Sequence, residues 1–448
     1  MQRPAPAPHS AATPWAAEGA LPPLPELAAR LAAATGRSQP EPVGGAPELH
    51  RAACGYWARR GLHTAPDQVF AGAGGQPLLL ALLAASGGDV LLTRPSAAWY
   101  APLARLAGRP TYHAPAPAPS GGVPDPFALL ETVRRVRAEG GDPRVLVLAV
   151  ADDPTGTVAP PELLHEVCEA AAAEDLLIIS DETWRDTVHP TAADPPRTAA
   201  DPPPTAATGP PPRPGGAAPP EPADGPERPV TGWPGETVVV SPAEMVPDRV
   251  VVLTDLAGAL TPPSWPAAIA RLPASDRGAE LHAGLLAALG AVRGELPAPV
   301  AAAALHALRE PAPVRARTAA AARAYGAVGT AAYDRLTDLG VLSRPPRAGH
   351  HLYVDLAELR GPLAERGIAD VVDLERHLTR RLGRPVPGGH RFGDAPDDLR
   401  VRLSTLPLLG ADDEQRLATL AARDPLERPH VRAALTLLES AFSELAAD

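Results

Sequence analysis

The sequence predicts an α/β protein in which a doubly wound, mostly parallel sheet is followed by a smaller α+β domain. Short apolar runs typical of buried strands begin at Val69, Val90, Val145, Leu176, Val250 and Ala267. Helical stretches such as PLLLALLAA and PELLHEVCEAAAA separate the first four runs. Because strands that alternate with helices form parallel sheets covered on both faces, this order predicts the large domain.

The pattern changes after about residue 275, where alanine-rich amphipathic helices predominate. We expect helices over 312–340, 371–383 and 427–446, and short strands over 351–356 and 399–404. These elements predict the smaller α+β domain. The expected division is an N-terminal arm and helix over 1–44, a large domain over 45–300 and a C-terminal domain over 301–448.

One segment interrupts the large domain. Residues 190–235 are mainly proline, alanine and threonine, with almost no large apolar side chain. Such a segment cannot bury enough apolar surface to offset the entropy lost on ordering, which predicts a disordered insertion. We interpret it as a tolerated surface insertion, with a binding role for its PPPRP stretch as the alternative.

Composition excludes several classes of function. The chain has 448 residues, of which 45% are hydrophobic, enough to fill the cores of two or three layered domains. A formal charge of −11 argues against nucleic-acid and anionic-membrane partners, because phosphate binding needs a basic face. The sequence has no run of about 20 apolar residues and no signal-peptide core, so we expect a cytoplasmic protein.

A series of motifs identifies a family. In chain order they are GAGGQPLLLALL, RPSAAWY, VLAVADDPTGTVAPP, LLIISDETWRD, DLAGALTPPSWPAAIARLP and LRVRLST. Their order closely resembles that of the fold-type I pyridoxal-phosphate (PLP) aminotransferases of class I/II. The resemblance covers about residues 18–420 apart from the insertion. It implies that family's fold, PLP as cofactor and active sites at a two-fold interface.

The chain nevertheless contains no lysine. Lysine and arginine together number 41, and all 41 are arginine. In the family a lysine carries PLP as a Schiff base and moves the proton in the central step. The resemblance places that lysine at Gly258, because DLAGAL stands where the family has Ser-Leu-Ser-Lys-Ser-Leu. We expect no internal Schiff base. The plainer interpretation is that Gly258 only allows a loop to turn.

The resemblance places other cofactor contacts on residues that match only in part. Asp181 corresponds to the aspartate that pairs with the pyridine nitrogen, with a strand-end capping role as the alternative. Asp153 replaces an asparagine that donates to the ring oxygen, and Trp184 replaces the tyrosine that shares it. An ionised carboxylate only accepts and an indole only donates. Gly74 or Gly75 replaces the serine of the phosphate turn.

Three further positions lack the expected side chain. Pro266 stands for the phosphate arginine, Ala97 for the aromatic ring that stacks on the cofactor, and Pro40 for a tyrosine that reaches the partner subunit's phosphate. A charge-assisted contact to phosphate contributes about 1.5–3 kcal/mol. We therefore expect PLP binding to be weak or absent.

The C-terminal motif supplies the candidate substrate contact. Arg402 matches the arginine that binds the substrate carboxylate; Arg400 is the alternative match, and either could be an ordinary ion-pair partner. His350, His351 and His390 lack the spacing of a metal site, so we expect no metal.

Two functions remain open on the sequence. We favour a pseudoenzyme, a non-catalytic aminotransferase homologue that serves as a partner subunit or binds a small carboxylate or amino acid. The alternative is an enzyme: an amino-acid aminotransferase with non-covalently held PLP, or another activity in the same cleft. Because the family's sites lie at a two-fold interface, we expect a homodimer or a heterodimer with an active aminotransferase.

Overall fold

The structure is a computed structural model that describes residues 19–117, 120–190 and 239–446. Apart from Pro190, the predicted insertion over 190–235 lies outside the described residues, so its disorder stays a prediction. Within the described ranges, no helix is both long and apolar enough to cross a membrane. The expected domain boundaries at 44 and 300 likewise stay predictions.

A seven-stranded sheet forms the centre of the larger part. Its strands are β1 (Val69–Gly72), β2 (Asp89–Arg94), β3 (Thr111–Pro115), β4 (Pro143–Ala149), β5 (Leu177–Asp181), β6 (Val250–Asp255) and β7 (Ala268–Arg271). They lie in the order β1-β7-β6-β5-β4-β2-β3. The six strands predicted from apolar runs are all present, which confirms the α/β fold class.

Two details of the sheet differ from a simple parallel series. Strand β7 runs antiparallel to both of its neighbours, β1 and β6, while the other pairs are parallel. Strand β3 was not predicted, because it is a partly exposed edge strand whose sequence TYHAP has no apolar run. An edge strand needs no continuous hydrophobic sequence, since only part of it is buried.

Helices cover both faces of this sheet. They are α1 (Pro25–Ala33), α2 (Pro47–Ala58), α3 (Gly75–Ser86), α4 (Tyr100–Leu106), α5 (Pro126–Ala138), α6 (Pro161–Ala173), α7 (Pro242–Met245), α8 (Asp276–Ala291) and α9 (Ala298–Leu308). Successive strand residues enter opposite cores: Leu146 belongs to the core that includes residues of α2, α5, α6 and α9, and Val147 belongs to the core that includes residues of α3, α4 and α8. Burial on both faces explains why these strands read as continuous apolar runs.

The C-terminal part has its own core. It contains α10 (Ala312–Asp338), β8 (His351–Asp355), α11 (Arg360–Glu365), α12 (Val371–Leu382), β9 (Arg400–Ser404), α13 (Asp413–Ala421) and α14 (Pro429–Ala446). Strands β8 and β9 pair antiparallel, with Tyr353 opposite Arg402. Every predicted helix and strand of this part is confirmed to within two residues of its expected bounds.

Strand direction positions the candidate site. The parallel strands β4, β5 and β6 are neighbours, and Ala149, Asp181 and Leu253 lie side by side near their carboxyl ends. Segments that follow these strands therefore meet at one edge of the sheet. Open α/β sheets place ligands at this edge.

Candidate functional site

A cleft lies at the carboxyl ends of the central strands, between the main sheet and the C-terminal part of the chain. It contains a cavity of about 230 Å³. The main sheet contributes Asp181 at the end of β5 and Asp255 at the end of β6, and β9 contributes Arg402. Residues far apart in sequence thus line one cavity.

Aromatic rings form one wall of the cleft. The Trp184 ring lies edge-on to His350 at 5.1 Å and to His351 at 5.2 Å between centroids. Tyr325 of α10 packs against His350 at 5.4 Å. Edge-to-face pairs of this kind fix the rings relative to one another. A planar ligand would therefore meet a preformed aromatic surface.

The N-terminal residues 19–24 line the cleft. Arg317 of α10 donates to the carbonyl of Pro22, and Arg416 of α13 donates to the carbonyl of Ala20 at 2.7 Å. These bonds tie the segment to the C-terminal helices across the opening.

Asp181 lies at the floor of the cleft, where the resemblance placed the partner of the pyridine nitrogen. Its Oδ2 accepts a hydrogen bond from the Tyr100 hydroxyl at 2.7 Å, and its Oδ1 accepts from the Thr183 amide at 2.9 Å. Burial raises the pKa of Asp181 above its usual value, and these hydrogen bonds oppose that rise. The capping bond expected from the plain interpretation is present, and the carboxylate also faces the cavity.

Asp153 and Arg402 meet in the cleft. The Arg402 Nη1 donates to the Asp153 Oδ1 at 2.6 Å, with the two side chains 5% and 15% exposed. The His351 ring nitrogen lies 3.8 Å from the same carboxylate oxygen. Asp153, which stands at the position of the family's asparagine, therefore forms an ion pair with Arg402. Arg402 is the arginine that the sequence assigned to a substrate carboxylate.

Arg400 has different surroundings from Arg402. Its guanidinium pairs with Asp355 at 2.8 Å and lies 3.3 Å from Asp394, and the residue does not line the cleft. Of the two alternatives left by the sequence, Arg402 is the one that the structure places at the cavity. Arg400 fits the role of an ion-pair partner.

The chain between β5 and the insertion holds Trp184 in place. Thr187 donates its hydroxyl to the Trp184 carbonyl at 2.6 Å. Arg185 pairs with Glu182 at 2.7 Å, and Asp186 pairs with Arg60 of the main body at 2.7 Å. Because ion pairs flank it on both sides, Trp184 is a fixed part of the wall.

Gly258 lies in a short 3-10 helix, Leu256–Gly258, directly after β6. A Cβ atom built on Gly258 would overlap the carbonyl oxygen of Thr183 and lie 2.8 Å from its Cγ2. Real Cβ atoms do not approach backbone atoms so closely. The local backbone therefore leaves no room for a side chain at the lysine position.

The turn predicted to cradle a phosphate connects β1 to α3. Gly74 has φ +109°, a conformation that favours glycine, and α3 begins at Gly75. The Gly75 amide donates to Asp255 Oδ2 at 2.7 Å, and Asp255 Oδ1 accepts from the Ala257 amide at 2.9 Å. The first amide of the helix is thus bound by the chain's own carboxylate. Burial raises the pKa of Asp255 to about 6.

The remaining predicted positions lie as follows. Pro266 is beside the turn, since a Cβ on Gly74 would lie 3.4 Å from its Cβ. Ala97 is buried and lines the cleft, whereas Pro40 is exposed and does not line it. His350 and His351 line the cleft but His390 does not. In the described part of the chain, no group of three or more histidines, cysteines or carboxylates could hold a metal ion.

Sequence reasoning missed three groups that take up space or hydrogen bonds in the cleft: Asp255, Tyr100 and the carbonyl of Thr183. Asp255 stands at the first serine of the Ser-Leu-Ser-Lys-Ser-Leu motif, so comparison of DLAGAL with that motif contained the signal. Tyr100 lies in the aromatic loop RPSAAWY that carried the resemblance. The carbonyl of Thr183 has no sequence signal, because its position depends on the path of the backbone.

Comparison with known proteins agrees with this fold. The family model for aminotransferase class I and II matches residues 17–210. The aspartate aminotransferase from Thermus thermophilus with maleate superposes with a TM-score of 0.69 at 20% identity, covering 94% of this chain and 90% of that one. The N-succinyldiaminopimelate aminotransferase from Mycobacterium tuberculosis gives a TM-score of 0.68 at 20% identity, over 95% and 91% of the chains.

This chain has the fold of the aminotransferases, and the class I and II family model matches its residues 17–210, less than half of its length. In sequence it is 32% identical over 175 residues to a probable aspartate/prephenate aminotransferase from Thermus aquaticus, covering 38% of this chain and 44% of that protein. An aspartate/prephenate aminotransferase from Thermus thermophilus is 31% identical over 166 residues, or 36% and 42%. The sequence match thus spans less than half the length of these relatives. This resemblance supports PLP as the cofactor.

Proposed function

We propose that this aminotransferase-family protein binds a small molecule in its cleft and does not catalyse transamination through a lysine Schiff base. One observation carries the proposal. The chain has no lysine, and Gly258, which stands at the lysine position, packs against the Thr183 carbonyl. A Schiff base needs a primary amine, so no internal side chain can form one with a bound aldehyde.

The residues of the cleft do not fit PLP. Asp255 occupies the phosphate turn, and Pro266 provides no charge or donor beside it. Ala97 offers no ring to stack on the cofactor. Of the expected contacts, Asp181 is retained, with Tyr100 holding one of its oxygens. These features support weak or absent PLP binding.

A second candidate function is an amino-acid aminotransferase that uses PLP without a covalent link. The comparisons taken alone favour it, because the similar proteins named above are aminotransferases. The retained Asp181 also agrees with it, since a buried carboxylate can pair with a protonated ring nitrogen. In this case another group in the cleft would carry out the proton transfer that a lysine performs in the family. His350 and His351 line the cleft and are the groups to test.

For the ligand we propose a small carboxylate or amino acid. Arg402 is buried at the cavity and its guanidinium suits a carboxylate, as its pairing with Asp153 illustrates. A ligand carboxylate would have to compete with Asp153 for this contact. We also keep as proposals a dimeric assembly, with itself or with an active aminotransferase, and a cytoplasmic location.

Treatment with PLP and borohydride tests the main proposal. Borohydride reduces an imine to a stable secondary amine, so any internal Schiff base would appear as a pyridoxyl group on a mapped peptide. We expect modification at the terminal amine at most, and no transfer of an amino group from amino acids to a 2-oxo acid. A pyridoxyl group on an internal side chain would contradict the proposal. Turnover without such a group would establish the second candidate instead.

Asp153→Asn tests the carboxylate site. The amide keeps the size of the side chain but removes the charge that competes at Arg402, so we expect aspartate and other small carboxylates to bind at least about tenfold more tightly. Isothermal titration calorimetry measures the change. The double variant Asp153→Asn, Arg402→Met is the control and should lose the gain. Equal affinity in the wild type and Asp153→Asn would show that Arg402 does not receive the ligand.

A further inference from the structure

The phosphate turn is filled by a side chain of the protein itself. Helix α3 has 12 residues, and its first amide, that of Gly75, donates to Asp255. A Cβ on Gly75 would lie 2.9 Å from the Asp255 Oδ2 and 3.1 Å from its Cβ. The carboxylate therefore rests directly against the backbone of the turn, and no ligand atom fits between them.

Charge at this place opposes a second anion. The carboxylate of Asp255 is partly buried and accepts hydrogen bonds from two backbone amides. Burial is the main cause that raises its pKa to about 6, and the neighbouring charge that acts on it is another carboxylate, Asp181. At neutral pH Asp255 is therefore mostly ionised. A phosphate brought to the same amide would meet a fixed negative charge in a poorly solvated site.

The arginines of the cleft belong to elements other than the turn. The arginines that line the described cleft are Arg317 and Arg402. Arg317 comes from α10 and donates to Pro22, and Arg402 comes from β9 and donates to Asp153. Pro266, beside the turn, brings no charge. The backbone of the turn thus has a shape that suits a phosphate. The negative charge of Asp255 at the turn opposes a phosphate.

We propose that Asp255 is a specificity-determining residue that excludes phosphorylated ligands, so that the cleft selects unphosphorylated molecules with a hydroxyl or ammonium group facing Asp255. The carboxylate acts as an internal substitute for a ligand phosphate. An uncharged hydroxyl can donate to Asp255 without displacing it from Gly75, because a carboxylate accepts several hydrogen bonds. The inference rests on the proposed ligand-binding function of the same cleft and adds the class of ligand.

Pyridoxine and pyridoxine 5′-phosphate provide a matched pair of probes. They share a ring and differ in the phosphate, and neither has an aldehyde, so neither can form a Schiff base with any amine. Calorimetry on the full chain should show that the wild type binds pyridoxine at least tenfold more tightly than its phosphate. The result is independent of the borohydride experiment, so one proposal can fail without the other.

Asp255→Ser and Asp255→Asn both remove the charge. Asparagine also keeps the size of the side chain and one acceptor, so Asp255→Asn serves if Asp255→Ser disturbs the fold. In either folded variant, affinity for pyridoxine 5′-phosphate relative to pyridoxine should rise at least tenfold. Asp370→Ser is the control, because Asp370 caps α12 in the same way and does not line the cleft. A wild type that prefers the phosphate, an unchanged ratio in both Asp255 variants, or no binding of either probe to any variant would overturn the proposal.

Discussion

Gly258→Lys is expected to destabilise the protein and to leave it without a Schiff base. The new Cβ would overlap the Thr183 carbonyl, so the segments after β5 and β6 must separate. Overpacking of this kind costs about 3 kcal/mol, and we expect a fall of about 3 °C in the melting temperature. Calorimetry and the visible spectrum with added PLP measure the two effects.

Two variants separate the causes of this effect. Gly258→Ala adds the Cβ alone and should reproduce most of the destabilisation. Gly290→Lys places a single lysine in α8, where a Cβ meets no atom within 4 Å. It should be neutral or slightly stabilising, because lysine is a better helix former than glycine. It also measures non-specific reaction of PLP with one exposed lysine. Normal stability and a reducible Schiff base in Gly258→Lys would show that the site still accommodates the lysine.

Asp152→Asn is expected to stabilise the protein above neutral pH by about 2–4 kcal/mol. Asp152 is 4% exposed, and burial raises its pKa to about 7, with the charge of Asp153 adding to the rise. Thr155 donates to its Oδ2 from the hydroxyl at 2.5 Å and from the amide at 3.2 Å. An asparagine oxygen can accept both bonds, so the substitution mainly removes the titration.

The sign follows from the two states of the chain. In the unfolded chain Asp152 ionises near its usual pKa of about 4, whereas in the folded protein it holds its proton to about pH 7. Its stabilising contribution is therefore complete below pH 4 and is lost as the pH rises through 7. The difference between variant and wild type should be near zero at pH 4 and reach a plateau above pH 7.5.

Urea unfolding across this pH range gives the free energy of unfolding for each protein. Asp175→Asn is the control with the opposite sign, because Arg249 and other arginines hold the pKa of this exposed carboxylate below its usual value. That variant should be less stable than the wild type at neutral pH and equal to it in acid. A pH-independent difference for Asp152→Asn would mean that folding leaves the pKa of Asp152 unchanged.

The sequence was sufficient for the fold because buried strands and amphipathic helices carry periodic signals. Strands β4, β5 and β6 were predicted from VLVLAV, LLII and VVVLT, and the structure confirms them. Strand β3 gave no such signal, because an edge strand is only half buried. The antiparallel direction of β7 could not be predicted either, because an apolar run carries no information about the direction of its strand in the sheet.

For the site, motif order located the right segments but not their contacts. Asp181, Asp153, Trp184 and Arg402 all line one cleft, as expected from the resemblance. Their roles in binding stay predictions. The sequence left open whether Arg400 or Arg402 reaches the cleft, and only packing distinguishes two arginines on one strand.

By itself, the sequence determined the α/β class, the order of the elements and the absence of any side-chain amine that could hold PLP covalently. Only the tertiary structure decided which groups of the protein contact one another in the cleft. Asp255 reaches the Gly75 amide across 180 residues, Asp153 reaches Arg402 across 249, and the Thr183 backbone closes the space over Gly258. Local patterns fix helices and strands because their contacts are near in sequence. Contacts between the ends of different strands depend on how the whole sheet is assembled.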